Sequence, residues 1–181
     1  MISKEELNMA RERTAAMLER AGIVITAEEY NRIEVADFGL EDRVHQALQI
    51  ITYENNDRYC AKEIILFPRQ TCPEHRHPPV EGETGKQETF RVRWGKMWLY
   101  VEGTPATEIK AQLPPGSEAN YTCFHQIEMN PGDQFTLSPN SWHWFQAGDE
   151  GVIVSEFSSC SRDEVDVWTD PRIKRLPEYE E

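Results

Sequence analysis

The period of the hydrophobic positions changes once along this chain. Residues 3–22 carry apolar side chains at helical spacing, and they begin with Ser3 and Glu6, which have the spacing of a capping box. Thr26 and Glu29 repeat that signature before a shorter helix that extends to about Ile33. The N-terminal part of the sequence therefore predicts two helices.

After these helices, short segments rich in β-branched and aromatic residues alternate with turn sequences. The segments are VHQALQIITY, RYCAKEIILF, ETFRVRW, MWLYVEG, FHQIEMN, DQFTLSP, WHWFQAG and GVIVSEFSS, separated by signals such as ENND, GK, PGD, PNS and GDE. Short strands at this spacing are typical of an all-β sandwich or barrel. We therefore predict a helical arm over residues 1–34 packed on a barrel over residues 35–181, with an irregular tail from about Asp163.

Two histidines lie two residues apart in the segment TCPEHRHP. Because side chains alternate along a strand, His75 and His77 would share one face, whereas a helix needs a spacing of three or four. A third histidine, His143, follows in a later strand segment. With Glu88 these residues form a candidate metal site, and four ligands leave positions open on a six-coordinate ion. The donor set suits manganese, iron, cobalt, nickel or zinc.

Glu88 lies on the predicted inward face of its strand. It alternates in step with three apolar residues, Phe90, Val92 and Trp94. A buried carboxylate without a partner costs several kcal/mol or more, and a metal ion is one such partner. The pattern therefore strengthens the metal hypothesis for this residue.

Two further charged residues, Lys62 and Glu156, fall on apolar faces of predicted strands. Burial would lower the pKa of an inward lysine and suit it to proton transfer. A structural ion pair between the two residues, or an ammonium that reaches the rim of the barrel, explains the same pattern. The residues alone leave these alternatives open.

Composition narrows the possible partners. The 181 residues include 19 basic and 32 acidic side chains, a net charge of −13, which disfavours nucleic acid and anionic membrane surfaces. No apolar run approaches the roughly 20 residues of a membrane span, and the charged N-terminus lacks a secretory core. The four cysteines form no CxxC pair. We predict a soluble, cytoplasmic, single-domain protein.

The motif HxH with a later Glu and His resembles the metal-binding motifs of the cupin superfamily of small β-barrels. Three longer stretches, NDRYCAKEIILFPRQTCPEHRHPP, GKQETFRVRWGKMWLYVEG and HWFQAGDEGVIVSEFSS, resemble the D-lyxose isomerase family of cupins. That family shares the long loop between His77 and Glu88, which departs from the usual cupin spacing. Asn140 stands near the position where cupins usually carry glycine. The similarity extends from about Ile23 to Ile173.

The resemblance implies an all-β cupin barrel and an aldose–ketose isomerase that uses a divalent metal, typically manganese. It implies the substrate pairs D-lyxose and D-xylulose, and D-mannose and D-fructose. Ligands for a single metal favour proton transfer through an enediol over a hydride shift. A cupin dioxygenase and a non-catalytic sugar-binding cupin are the alternatives.

The resemblance also implies roles for particular residues. Lys62 and Glu156 match positions of functional lysine and glutamate residues, so we expect them to act as the acid/base pair. Arg162, Asp170 and Arg172 lie in the tail, where the sequence leaves open a contact with substrate or with a partner subunit. By analogy with other cupins we expect a homodimer.

Overall fold

A computed structural model of the chain describes residues 1–180. Helix α1 spans Lys4–Arg20 and helix α2 spans Ala27–Asn31, and a capping box of the predicted kind begins each one. In each box a hydroxyl accepts from a backbone N–H while a glutamate carboxylate accepts from the N-cap N–H. Both predicted helices are confirmed. Within the described residues, no helix is long and apolar enough to cross a membrane.

Nine strands follow within residues 1–180. They are β1 (Glu34–Ala36), β2 (Leu48–Asn55), β3 (Cys60–Leu66), β4 (Thr71–Arg76), β5 (Glu88–Val101), β6 (His125–Met129), β7 (Gln134–Leu137), β8 (His143–Ser158) and β9 (Val167–Trp168). Short 3₁₀ turns occupy Glu118–Asn120 and Asp163–Val165.

The strands form one antiparallel sheet that curls into a half-barrel. Its main path runs β1-β2-β3-β8-β4-β9. Strand β5 pairs with β8 along its length, and β6 and β7 pair with successive halves of β5. The predicted all-β fold of cupin type with N-terminal helices is confirmed. The division into an arm over 1–34 and a barrel over 35–181 stays a prediction.

Strands β5 and β8 are each longer than the sequence predicted. The turns expected at Gly95-Lys96 and at GDE are wrong, because both strands continue through these positions. The register of the β5–β8 ladder shifts twice, between Val92 and Trp94 and between Gly95 and Met97, and the second shift leaves residues 148–151 of β8 outside this ladder. Gly95 has a φ of 75°, and a Cβ there would lie 2.1 Å from the carbonyl oxygen of Gly151. Two backbones thus cross where no side chain fits, so the strands bend without ending.

The first of these shifts reverses the direction of Trp94. Val92 pairs with Val154 on the inner face, but the next pair, Trp94 with Ile153, lies on the outer face beneath α1. The expectation that Trp94 shares a face with Glu88 is therefore wrong. The bulge keeps this large side chain out of the barrel interior.

Three apolar clusters surround the site. The inner face of the sheet carries the main core, and α1 packs on the outer face around Ile51, Ile65 and Ile153. In a third cluster, the rings of Trp144 and Tyr100 stack with their centroids 3.9 Å apart. The tail is not wholly irregular as predicted, since β9 pairs with β4. This pairing brings the C-terminal segment against the strand that carries the first histidine.

Candidate metal centre and active site

Three strands deliver the predicted ligands to one point in the half-barrel. His75 lies in β4 and pairs in register with His143, the first residue of β8. His77 follows β4, and Glu88 begins β5. One ligand atom from each of these four buried residues lies within 4.8 Å of the others. The structure thus brings together all four predicted metal ligands.

The outer nitrogen of each imidazole faces an oxygen. Nδ1 of His75 and of His143 lies 2.8 and 3.0 Å from the carbonyl oxygen two residues earlier in the chain. Nδ1 of His77 lies 2.5 Å from Oδ1 of Asp166. An oxygen acceptor at Nδ1 favours the tautomer that carries its proton there, which leaves Nε2 as the ligand atom.

The inner nitrogens converge on one carboxylate oxygen. Nε2 of His77 and of His143 lies 3.1 and 3.0 Å from Oε1 of Glu88. Nε2 of His143 is buried and has no hydrogen-bond partner. A lone pair beside a carboxylate oxygen repels it unless a cation lies between them. This orphaned nitrogen and the three-nitrogen, one-oxygen donor set fit a divalent metal ion.

A second lysine, Lys86, which is not among the predicted site residues, lies beside this set. Lys86 Nζ lies 2.8 Å from Oε2 of Glu88 and 2.6 Å from Oε1 of Glu156. Gly85 makes the approach possible, because its φ is 93° and a Cβ there would lie 2.5 Å from the carbonyl oxygen of His77. The long loop therefore turns back tightly and delivers Lys86 into the barrel.

Lys62 lies in the same cavity but does not pair with Glu156. Its Nζ donates to Ser161 Oγ at 2.9 Å and to Asp163 at 3.1 Å. Asp163 also pairs with Arg175 at 2.5 Å. Lys62, Asp163 and Arg175 line the cavity that His75, His77 and Glu156 also line. The predicted acid/base residues are thus near the metal ligands, and a network of opposite charges surrounds them.

The expected direction of the Lys62 pKa is wrong. Burial alone lowers the pKa of this ammonium, but the nearby charges of Glu156 and Asp163 outweigh burial and raise it. Burial likewise opposes the charge on Lys86, whose pKa Glu156 and Glu88 raise well above the usual value. Both lysines are therefore ammonium groups near neutral pH, suited to donating protons and hydrogen bonds.

The metal-ligand candidates have shifted pKa values too. Burial and the neighbouring imidazoles of His143 and His77 hold the pKa of His75 well below its usual value. Burial also opposes protonation of His77, but Glu88 and Asp166 outweigh burial and raise that pKa to about 9. Burial raises the pKa of Glu88, but Lys86 and His77 outweigh it and hold that pKa well below its usual value. Glu88 is consequently a carboxylate.

The sequence left the roles of Arg162, Asp170 and Arg172 open, and none of the three is among the candidate ligands. Arg162 lies 3.8 Å from Glu83, and both residues line a second pocket that His77 and Lys86 also line. Arg172 pairs with Asp170 at 2.6 Å, and it also donates to Ser117. Arg162 thus lies beside the candidate site, whereas the Asp170–Arg172 pair joins the tail to Ser117.

A family model described as D-lyxose isomerase matches residues 25–181. The chain belongs to the D-lyxose isomerase family. It is 59% identical over 175 residues to the D-lyxose ketol-isomerase of Cohnella laeviribosi, covering 97% of this chain and 96% of that protein. It is 58% identical over 181 residues to the D-lyxose/D-mannose isomerase of Thermosediminibacter oceani, covering both chains fully at 100%. The protein is a sugar isomerase.

Among solved structures, a mutant of the L-ribose isomerase of Acinetobacter sp. DL28 in complex with L-ribose superimposes with a TM-score of 0.80. The match is 17% identical and covers 99% of this chain and 98% of that one. At this identity the likeness concerns the fold. The family match favours the isomerase over the dioxygenase and the non-catalytic sugar-binding protein that the sequence left as alternatives.

Proposed function

We propose that this sugar isomerase interconverts D-lyxose with D-xylulose and D-mannose with D-fructose. The names of the two relatives, at 58% and 59% identity over nearly the whole chain, support D-lyxose and D-mannose as aldoses. The cavity has apolar walls and a cluster of paired carboxylates and ammonium groups, and this polar cluster suits a polyhydroxylated substrate.

A divalent ion held by His75, His77, Glu88 and His143 would polarise the substrate carbonyl and orient neighbouring hydroxyl groups. We propose manganese, the metal that the family resemblance implies, although the donor set also suits zinc, cobalt, iron and nickel. The homodimer and the cytoplasmic location stay predictions.

The observation that carries the proposed mechanism is the position of Glu156. Its buried carboxylate lies on the inner face of β8, in the same cavity as the ligands and 2.6 Å from Lys86. We assign Glu156 as the base, because Lys62 and Lys86 carry raised pKa values and are already protonated near neutral pH.

Isomerisation of an aldose begins when Glu156 takes the proton from C2. The C–H electron pair forms the C1–C2 double bond, and O1 accepts a proton to give the enediol. The O2 proton then leaves as the C2 carbonyl forms, and Glu156 returns its proton to C1. The ammonium groups of Lys62 and Lys86 supply and recover the hydroxyl protons.

Turnover in deuterated water tests this proposal. The chelated protein is reconstituted with Mn²⁺ and offered D-lyxose and D-mannose separately, and the products are analysed by NMR. We expect the ketoses, with deuterium bound to carbon. Ketose without deuterium would contradict exchange through an accessible base, and no turnover of either aldose would overturn the proposed substrates.

A further inference from the structure

We propose that Asp166 is a positioning residue for the metal centre, through its contact with His77. This inference rests on the proposed metal site. The carboxylate Oδ1 lies 2.5 Å from His77 Nδ1, and the two side chains are only 5% and 8% exposed. A buried carboxylate in this position holds both the ring orientation and the tautomer that presents Nε2 to the metal.

The place of His77 in the fold explains why it needs a side-chain partner. His75 and His143 lie within strands, and a carbonyl of their own local backbone faces each Nδ1. His77 lies one residue beyond the end of β4. Because the strand no longer fixes its backbone, the orientation of this imidazole depends on a distant residue.

The register of β9 delivers that residue. Trp168 pairs with His75 and Val167 pairs with Arg76 in an antiparallel ladder. Continued by one step, the same register sets Asp166 opposite His77. The Trp168 ring also stacks on the His75 ring, with centroids 4.6 Å apart. The C-terminal segment 163–168 thus contacts two of the three candidate histidine ligands.

The proposal is tested by measuring the affinity of the chelated protein for Mn²⁺. Isothermal titration calorimetry at constant pH compares wild type, Asp166→Ala and Asp166→Asn. Removing such a carboxylate typically weakens metal binding about 10- to 100-fold. We expect that loss for Asp166→Ala and a smaller loss for Asp166→Asn, since the amide oxygen still accepts a hydrogen bond. The matched control is Glu164→Gln, an exposed carboxylate of the same segment, which should bind Mn²⁺ like wild type.

The outcomes separate the two proposals. Wild-type protein that binds no Mn²⁺ would overturn the proposed metal site itself. Wild-type binding with an Asp166→Ala affinity within about twofold of it would overturn only the positioning role. Should Asp166→Ala fail to fold, the similarly sized Asp166→Asn decides alone: an unchanged affinity refutes the role, and a weakened one with normal circular dichroism supports it.

Discussion

Replacing Lys86 with methionine tests whether the buried charges beside the metal site stabilise the fold. The substitution keeps an unbranched apolar chain that reaches as far as the lysine Cε and removes the ammonium group. Lys86 is 6% exposed, and its partners Glu88 and Glu156 are 2% and 4% exposed. Both carboxylates would lose an ion pair while water remains largely excluded from them.

The expected cost follows from the distance and the burial. Two unit charges 2.6 Å apart attract by about 6 kcal/mol at an effective dielectric constant of roughly 20. Desolvation offsets part of that attraction, and removing one partner of a buried pair typically costs about 3–5 kcal/mol. We expect Lys86→Met to lower the unfolding free energy of the chelated protein by that amount.

The protein carries a matched control on its surface. Lys96 and Glu128 are also 2.6 Å apart, but their side chains are 41% and 43% exposed. Water screens this pair, so Lys96→Met should cost less than about 1 kcal/mol. Urea unfolding of both variants at pH 7 compares the loss of unfolding free energy for a buried and an exposed ion pair with the same N–O distance. Equal and small losses in the two variants would refute the argument that the buried pair stabilises the fold.

The pH dependence of that loss has a definite sign. Glu88 has a lowered folded pKa, so its contribution to stability is present above its unfolded pKa of about 4.3 and is lost as pH falls through the folded value. Lys86 has a raised folded pKa, so its contribution is complete below about pH 10.4 and is lost above it. The difference between wild type and Lys86→Met should therefore stay constant from about pH 5 to pH 9.

Three further predictions concern the base, the loop and the metal-free protein. Glu156→Gln should keep Mn²⁺ and lower kcat by about 10²- to 10⁴-fold. Lys62→Ala should also keep the metal and lower kcat. A variant with stoichiometric metal and the wild-type kcat would remove its residue from the mechanism. Gly85→Ala should lower both stability and kcat, because its Cβ would lie 2.5 Å from a backbone oxygen. The control Gly82→Ala has a similar φ of 88° but nothing within 4 Å of its Cβ, so it should change only stability. Urea unfolding and steady-state kinetics measure the two effects. In chelated protein, the pKa of His77 is raised to about 9. Its contribution of about 3 kcal/mol to the free energy of unfolding should therefore be complete below pH 6.5 and lost as pH rises through 9. An unfolding free energy from urea titrations that stays constant over that range would contradict this expectation.

The features that the sequence predicted correctly depend on local signals. A capping box needs four residues, so Ser3 with Glu6 and Thr26 with Glu29 were sufficient to begin both helices. The bends in β5 and β8 were not predictable in the same way. Gly95 looks like a turn residue until Gly151 is known to lie opposite, and that contact joins segments far apart in the chain.

The candidate site also contains some residues that local sequence signals predict and others that only contacts between distant segments bring into place. The convergence of the four candidate ligands was predictable, because each lies in or beside a strand whose alternation points it inward. Lys86 escaped notice because it lies in the loop before β5, although it is two residues from Glu88 and one more step of the strand period would have included it. Asp163 and Asp166 lie in a tail with no period, and the pairing of β9 with β4 alone brings them to the cavity.

The two oxygens of Glu88 connect the candidate metal site with the proposed proton-transfer groups. Oε1 faces the Nε2 atoms of His77 and His143, while Oε2 faces Lys86, which in turn pairs with Glu156. Ligation through Oε1 alone would leave the Lys86 pair intact, so one carboxylate can serve both groups. Protonation of Glu156 would therefore change the electrostatic environment of Glu88 through the Lys86 ammonium group, which pairs with both carboxylates. This connection explains why a lysine outside any strand is buried between two carboxylates.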